Sequence, residues 1–148
     1  MSAQSENVEE EIRRLIIEIR LLESTAEQLQ ARVNLVNAAL TELSLASMAL
    51  EGIENKSYDY IFVPIGGGSY VKARLEDTDK VVYGIGAGVA IEKPLKEAKE
   101  DVANRIAELS KAKVALEQQL SQVLSRMQEG QSKLQELTSM LRRAEMKK

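Results

Sequence analysis

Side chains able to attack, shuttle protons or bind metal are few in this chain, which has no cysteine and no histidine. Thiol nucleophiles, imidazole bases and the commonest transition-metal ligands are thereby removed. Glu76, Asp77 and Asp79 form an acidic group, but a cage for a hard cation needs more oxygens in a defined loop, so a solvated turn and no metal are expected. Gly84, Gly86 and Gly88 suggest a dinucleotide fingerprint; Val89 stands where that motif needs glycine, and a strand rather than a helix follows. Gly66 to Gly68 lacks the Lys-Ser or Lys-Thr of a phosphate-binding loop and suits a turn with positive φ. Neither ATP nor any other cofactor is expected. Tyr58, Tyr60, Tyr70 and Tyr83 fall among strands, where packing is a commoner role than catalysis. With no set of nucleophile, base and cleft to assemble, an enzyme is not expected.

The elements that would carry these residues are announced by composition. Aromatic residues are only 3% of the chain, with one Phe and no Trp, while Leu, Ala, Glu, Lys, Arg and Gln crowd both ends, which favours long helices over an ordinary core. Charged residues are 29% yet the net charge is only -3, so no broad basic field exists and nucleic acid is not an expected partner. Glu6, Glu9, Glu10 and Glu11 occupy the place where a signal peptide carries positive charge. No uninterrupted apolar run approaches the roughly 18 residues that span a bilayer, so no membrane association and a cytoplasmic location are expected. The absence of cysteine fits that compartment.

From Val8 to Leu50 apolar residues recur at alternating spacings of four and three. Ile12, Ile19, Ala26, Val33 and Leu40 take heptad position a, with Ser47 the one polar member; Val8, Leu15, Leu22, Leu29, Val36, Leu43 and Leu50 take position d. This predicts a helix over about 6–52, with Gly52 placed to end it. A second heptad frame runs from Leu95 to Ala144, departing from apolar character at Lys99, Lys113 and Gly130, and predicts a helix over 94–146 with Pro94 in its first turn. Lys99 and Lys113 on the seam are expected to set register rather than do chemistry.

Residues 57–93 change character. Short runs rich in β-branched and aromatic residues, separated by glycines and acidic residues, predict four strands: Tyr60 to Ile65, Ser69 to Leu75, Lys80 to Ile85 and Val89 to Glu92. A connector consumed by two hairpins cannot run back along the first helix, so the two helices are expected to pair antiparallel. One register sets Val8 against Leu141, Leu15 against Leu134, Leu29 against Leu120 and Leu40 against Leu109, at the cost of placing Lys99 opposite Leu50. A slide of one heptad would set Ala26 against Gly130 but leave more of the region near Pro94 unpartnered, and the first register is preferred. The acidic start of helix one would then lie beside Arg142, Arg143, Lys147 and Lys148. Isolated hairpins are marginal in water, so these are expected to pair with strands of other chains, in a shared β-barrel that removes their exposed edges.

Val63-Pro64-Ile65-Gly66-Gly67-Gly68-Ser69-Tyr70-Val71-Lys72-Ala73, followed by Tyr83-Gly84-Ile85-Gly86-Ala87-Gly88-Val89-Ala90-Ile91-Glu92-Lys93, resembles an alpha-class prefoldin subunit, most like the archaeal one, over essentially the whole chain. The resemblance implies one prefoldin-like domain over 1–148, mainly α, in which an antiparallel two-helix coiled coil carries two central β-hairpins that join an intersubunit β-barrel. It further implies assembly of two alpha with four beta subunits, and an ATP-independent chaperone that holds non-native chains at the coiled-coil tips for a group II chaperonin. Under it the arm-tip residues Ile12, Ile16, Ile17, Leu21, Met140, Leu141 and Met146 would hold clients. Ile61, Val63, Ile65, Tyr70, Val71, Val82, Tyr83, Ile85, Val89 and Ile91 would serve assembly. A coiled-coil scaffold or tether joining specific folded partners is the competing reading.

Overall fold

Between Ala3 and Glu51 no proline or glycine interrupts the run of Leu, Ala, Glu and Gln, and these residues form one helix, α1 (Ala3–Ile53). Four strands follow, β1 (Tyr60–Gly66), β2 (Ser69–Arg74), β3 (Lys80–Gly86) and β4 (Val89–Pro94), and then α2 (Leu95–Met146). This order comes from a computed structural model that describes residues 3–147. The expected contribution of Lys148 to the charge pairing lies outside the described residues. The chain divides into two units: an arm unit of Met1–Asn37 with Ala112–Lys148, and a hairpin unit of Ala38–Lys111.

In the arm unit the helices pair antiparallel along the heptad seam. The buried residues of α1 are Leu15, Ile19, Ala26, Leu29 and Val33, all at a or d, and on α2 Leu137, another seam residue, is buried. Gly130 lies against Ile19, close enough that an added Cβ would stand 3.2 Å from the Ile19 Cγ1 atom. That juxtaposition belongs to the register setting Val8 against Leu141, not to the slide that would bring Ala26 to Gly130. The ion pair at this end joins Lys133 Nζ to Glu11 Oε1 at 2.8 Å. Both flank the seam at position g, where antiparallel helices bring like positions together. Among the described residues Arg142 and Arg143 make no such pair, so the expected clustering is carried by Lys133 instead.

In the hairpin unit each pair of strands forms its own antiparallel two-stranded sheet. Tyr60 faces Arg74 and Val63 faces Val71 in the first; Lys80 faces Pro94 and Tyr83 faces Ile91 in the second. The two are built alike, with a constant offset of twenty residues in every paired position. Each has a bulge before the turn, between Pro64 and Gly66 or between Gly84 and Gly86. Each turn has positive φ at both central residues, Gly67 and Gly68 in one and Ala87 and Gly88 in the other, as a two-residue connection requires to match strand twist. Even the flanking bonds correspond: Leu75 N donates to Asp59 O at 2.9 Å, and Leu95 N to Asp79 O at 2.7 Å. The duplication lies in backbone geometry, because the aligned side chains mostly differ.

Several boundaries differ from the sequence expectation: α1 begins at Ala3, not near residue 6, β1 and β3 end one residue later, at Gly66 and Gly86, and β2 one residue earlier, at Arg74. α1 runs through Gly52 to Ile53, and the left-handed residue that turns the chain is Asn55, at φ 60°. Pro94 closes β4 opposite Lys80, so α2 begins at Leu95; a strand's last residue tolerates a missing N–H as well as a helix's first turn does. The link from β2 to β3 is anchored, not merely solvated: Thr78 is only 3% exposed and its N–H donates to Ser57 Oγ at 3.0 Å. Asp79 N donates to Asp77 Oδ1 at 2.9 Å, which occupies one acidic oxygen in shaping the turn. No uninterrupted apolar run is present, yet an 18-residue stretch of α1 has a mean hydropathy of 1.3, apolar enough by length and composition to cross a membrane. It arises because Glu42 is the sole charged residue between Arg32 and Glu51. Asn34, Asn37, Thr41, Ser44 and Ser47 interrupt it.

Candidate functional site

The arm unit's terminal end gathers the first candidate set. A helix places neighbouring side chains at i±3 and i±4 on one patch, and a seam residue covers its partner while residues two or three positions away face outward. Ile12 and Leu141, at position a, are accordingly half-buried between the helices. Ile17 and Leu21, four residues apart, are 60% and 65% exposed, and Met140 and Met146 on α2 are 51% and 87% exposed. Ile16 stands between the two groups at 37%. The structure therefore brings Ile12, Ile16, Ile17 and Leu21 onto the start of α1 and Met140, Leu141 and Met146 onto the end of α2, but only the off-seam residues present most of their surface.

Charged groups surround this apolar surface. The Glu11 carboxylate hydrogen-bonded to Lys133 holds that ammonium above the usual lysine range, with Glu136 and Glu18 acting in the same direction and partial desolvation opposing them. Asn7, Glu10, Arg14 and Glu18 line an open polar groove beside this pair. Among the described residues no group of three or more acidic side chains is arranged to hold a metal ion.

The hairpin unit carries the second set. Alternation puts Tyr60, Phe62 and Pro64 of β1 on one face with Tyr70, Lys72 and Arg74 of β2, and puts Ile61 and Val63 on the other with Val71 and Ala73. Lys72 Nζ lies 4.4 Å from the Tyr60 ring centre, and the Arg74 guanidinium lies 5.9 Å from the rings of both Tyr58 and Tyr60. Arg74 Nε also donates to Tyr58 O at 3.1 Å, which helps to hold Tyr58 in its left-handed conformation. Phe62 and Tyr70, open to solvent, flank a shallow apolar groove.

Of the assembly residues, Val63, Ile65, Tyr70, Val71, Val82, Ile85, Val89 and Ile91 are exposed in this single chain. Ile61 and Tyr83 are half-buried. The Tyr83 ring is already engaged within the chain, 5.0 Å from Lys93 Nζ and 5.2 Å from the Arg105 guanidinium of α2. Lys93 in turn pairs with Asp101, which holds its ammonium above the usual lysine range and ties β4 to the first turns of α2. Lys99, at a seam position, finds Glu54 at 2.7 Å, so its charge is satisfied at the end of α1.

The sequence reading overlooked several exposed side chains. Phe62 presents more surface than any of the strand residues chosen on β1, and the cation–aromatic ladder was visible as alternation of Tyr60 and Phe62 against Lys72 and Arg74. Leu35, Leu45, Met48, Val114 and Leu124 are exposed apolar residues away from the seam.

Comparison with known proteins adds the following. The profile of the family described as Prefoldin subunit matches residues 22–139. Prefoldin subunit alpha of Methanopyrus kandleri is 36% identical over 116 residues, covering 78% of this chain and 74% of that protein. The protein of the same name from Methanobrevibacter smithii is 31% identical over 121 residues, 82% of this chain and 78% of its own length. Among solved structures, filamentous PFD from Methanocaldococcus jannaschii superposes with a TM-score of 0.58 at 23% identity, covering 81% of this chain and 94% of that one, a likeness of fold.

Proposed function

The chain belongs to the prefoldin family, and on that premise we propose that it is an alpha-type subunit of a cytoplasmic chaperone that holds unfolded proteins without ATP and passes them to a group II chaperonin. The observation that carries this reading is the apolar surface left over at the arm unit's terminal end. Ile17, Leu21, Met140 and Met146 serve no seam contact, yet they remain open beside interspersed charges that keep the empty arm soluble. Unbranched Leu and Met side chains repack around varied apolar partners without demanding one shape, which suits a binder of many non-native chains. Binding and release by such a surface need no covalent step, and the side-chain inventory supplies no catalytic set.

The hairpins take the assembly role. Each two-stranded sheet leaves a free edge on both sides, and Val63, Ile65, Val71, Val82, Ile85, Val89 and Ile91 leave apolar surface uncovered. Strands of neighbouring subunits would complete both the edges and the faces, closing a barrel between subunits. Two such chains would join four beta subunits. Sedimentation at micromolar concentration should show this chain associated, alone or with its partners; a folded monomer that ignores beta subunits would overturn the assembly role.

The decisive assay is suppression of aggregation of several unrelated denatured proteins, without nucleotide, at stoichiometric amounts. The intact chain should slow all of them. Removal of residues 1–21 and 134–148 should abolish the effect while leaving the oligomer in place. A chain that ignores denatured proteins but captures one folded partner would instead be a scaffold, and full activity after the truncation would refute the tip as the holding site.

A further inference from the structure

Sulfur in this chain is confined to methionine, because cysteine is absent. The methionines among the described residues stand in two environments. Met127, at position a on the α2 seam, is half-buried, whereas Met48, Met140 and Met146 are 60%, 51% and 87% exposed. Met140 and Met146 lie off the seam on the last two turns of α2, at the end of the arm that carries the holding surface, while Met48 belongs to the hairpin unit. A thioether that faces water is open to two-electron oxidants, and one wedged between helices is shielded. The product matters to a surface that works by being apolar. Oxidation turns an unbranched apolar side chain into a polar sulfoxide, which resists burial against the apolar segment of a client. Ile17 and Leu21, the other open members of the set, have no such chemistry.

Resting on the holding role assigned above, we propose that Met140 and Met146 are reversible oxidation sites, and that their conversion to methionine sulfoxide by a hydroperoxide releases held chains from the arm tip. With hydrogen peroxide, the sulfur lone pair attacks one peroxide oxygen and the O–O bond breaks. That oxygen stays on sulfur as the sulfoxide, and the departing hydroxide takes its proton and leaves as water. Sulfur is oxidised by two electrons and the peroxide is reduced by two. A methionine sulfoxide reductase supplied with a dithiol returns the thioether, giving water and a disulfide. Because Met127 is shielded, the switch acts ahead of damage to the seam: the tip loses its grip while the helices remain paired.

The test uses the full chain, in complex with its partner subunits where it forms one. Hydrogen peroxide is applied and then removed with catalase before denatured clients are added, and peptide mass spectrometry assigns each added oxygen. Met140 and Met146 should be oxidised well ahead of Met127, with helicity by circular dichroism unchanged. The amount of protein needed to suppress aggregation should rise about tenfold, the scale set by apolar side chains that can no longer be buried favourably. Incubation with methionine sulfoxide reductases and a dithiol should restore it. Each chain is scored against itself before treatment, which removes any basal effect of a substitution. On that ratio Met140→Leu with Met146→Leu should resist peroxide, since Leu fills a similar volume without sulfur, while Met48→Leu should be as sensitive as the unaltered chain. Holding that persists with both tip sulfoxides formed, sensitivity that survives the double change, or loss that appears only once Met127 is oxidised and helicity falls, overturns the proposal and leaves the holding role standing. An untreated chain that holds no denatured protein removes the holding role itself, and the switch with it.

Discussion

A single glycine reports how closely the arm helices approach. Gly130 occupies a d position where a larger side chain would normally sit, and Ile19 fills the space it leaves. Gly130→Ala removes the conformational penalty of glycine inside a helix, worth about 1 kcal/mol. It also asks Ile19 to yield by a few tenths of an ångström. Because the contact is with the side-chain arm of Ile19, not with backbone, the net expected change is a gain of roughly 0.5 kcal/mol, whereas Gly130→Leu should cost about 1–3 kcal/mol by overfilling the seam. Thermal melts at fixed concentration separate the two outcomes. Ser57→Ala should cost about 1–2 kcal/mol, since it strips the buried Thr78 of its side-chain partner. The ion pairs of Lys99 and Lys133 raise the lysine pKa in the folded chain, so their contribution is present below pH 10.5, the ordinary lysine value, and fades as pH climbs through the raised one. Alkaline titration of melting temperature should show a decline there that Lys133→Met, which removes one titrating group, reduces. These effects were only partly legible in sequence: heptad bookkeeping marked Gly130 and Lys99 as departures, but which residue met each one, Ile19 for Gly130 and Glu54 for Lys99, depended on how segments far apart in the chain come together.

At the level of elements, the long helices were the most legible feature because one spacing rule is obeyed for six consecutive heptads and few alternatives satisfy it. The strands were found from composition, with their ends displaced by one or two residues, since hydrogen bonding and not apolar character decides where a ladder stops. Pro94 shows why: the sequence signal for a helix start and that for a strand end are the same residue. The likeness of the two hairpins escaped notice because Tyr60 aligns with Lys80 and Lys72 with Glu92, so only the backbone repeats. That likeness yields a prediction. Ala87 has φ 51° at the turn position where the first hairpin has Gly67. Ala87→Gly should stabilise the second hairpin by roughly 0.5–1 kcal/mol, the relief of left-handed backbone less the added freedom of the unfolded chain, and Gly67→Ala should destabilise the first by a similar amount. Hydrogen-exchange protection of β3 and β4, or of β1 and β2, would register each change. Protection unchanged in both would mean the turns do not limit hairpin opening.

For the whole molecule, the heptad frame already set Ile16, Ile17, Leu21, Met140 and Met146 off the seam, where the partner helix does not cover them fully, and they are exposed. Ile12 and Leu141, at position a of their frames, are half-buried, so the seam assignment separated wall from opening; the degree of exposure came from the folded pair. The twenty-residue correspondence of the hairpins has a consequence for how such a chain can change. Arg74 and Pro94 end the two second strands, and the next residue is leucine in both cases, Leu75 and Leu95. Splicing out 75–94 would therefore join Arg74 to Leu95 with the local environment of the junction kept, trading a two-ribbon subunit for a one-ribbon subunit without touching either arm. A shortened protein that keeps its helical content but changes the number of chains it gathers would show that subunit count is inherited as a detachable cassette.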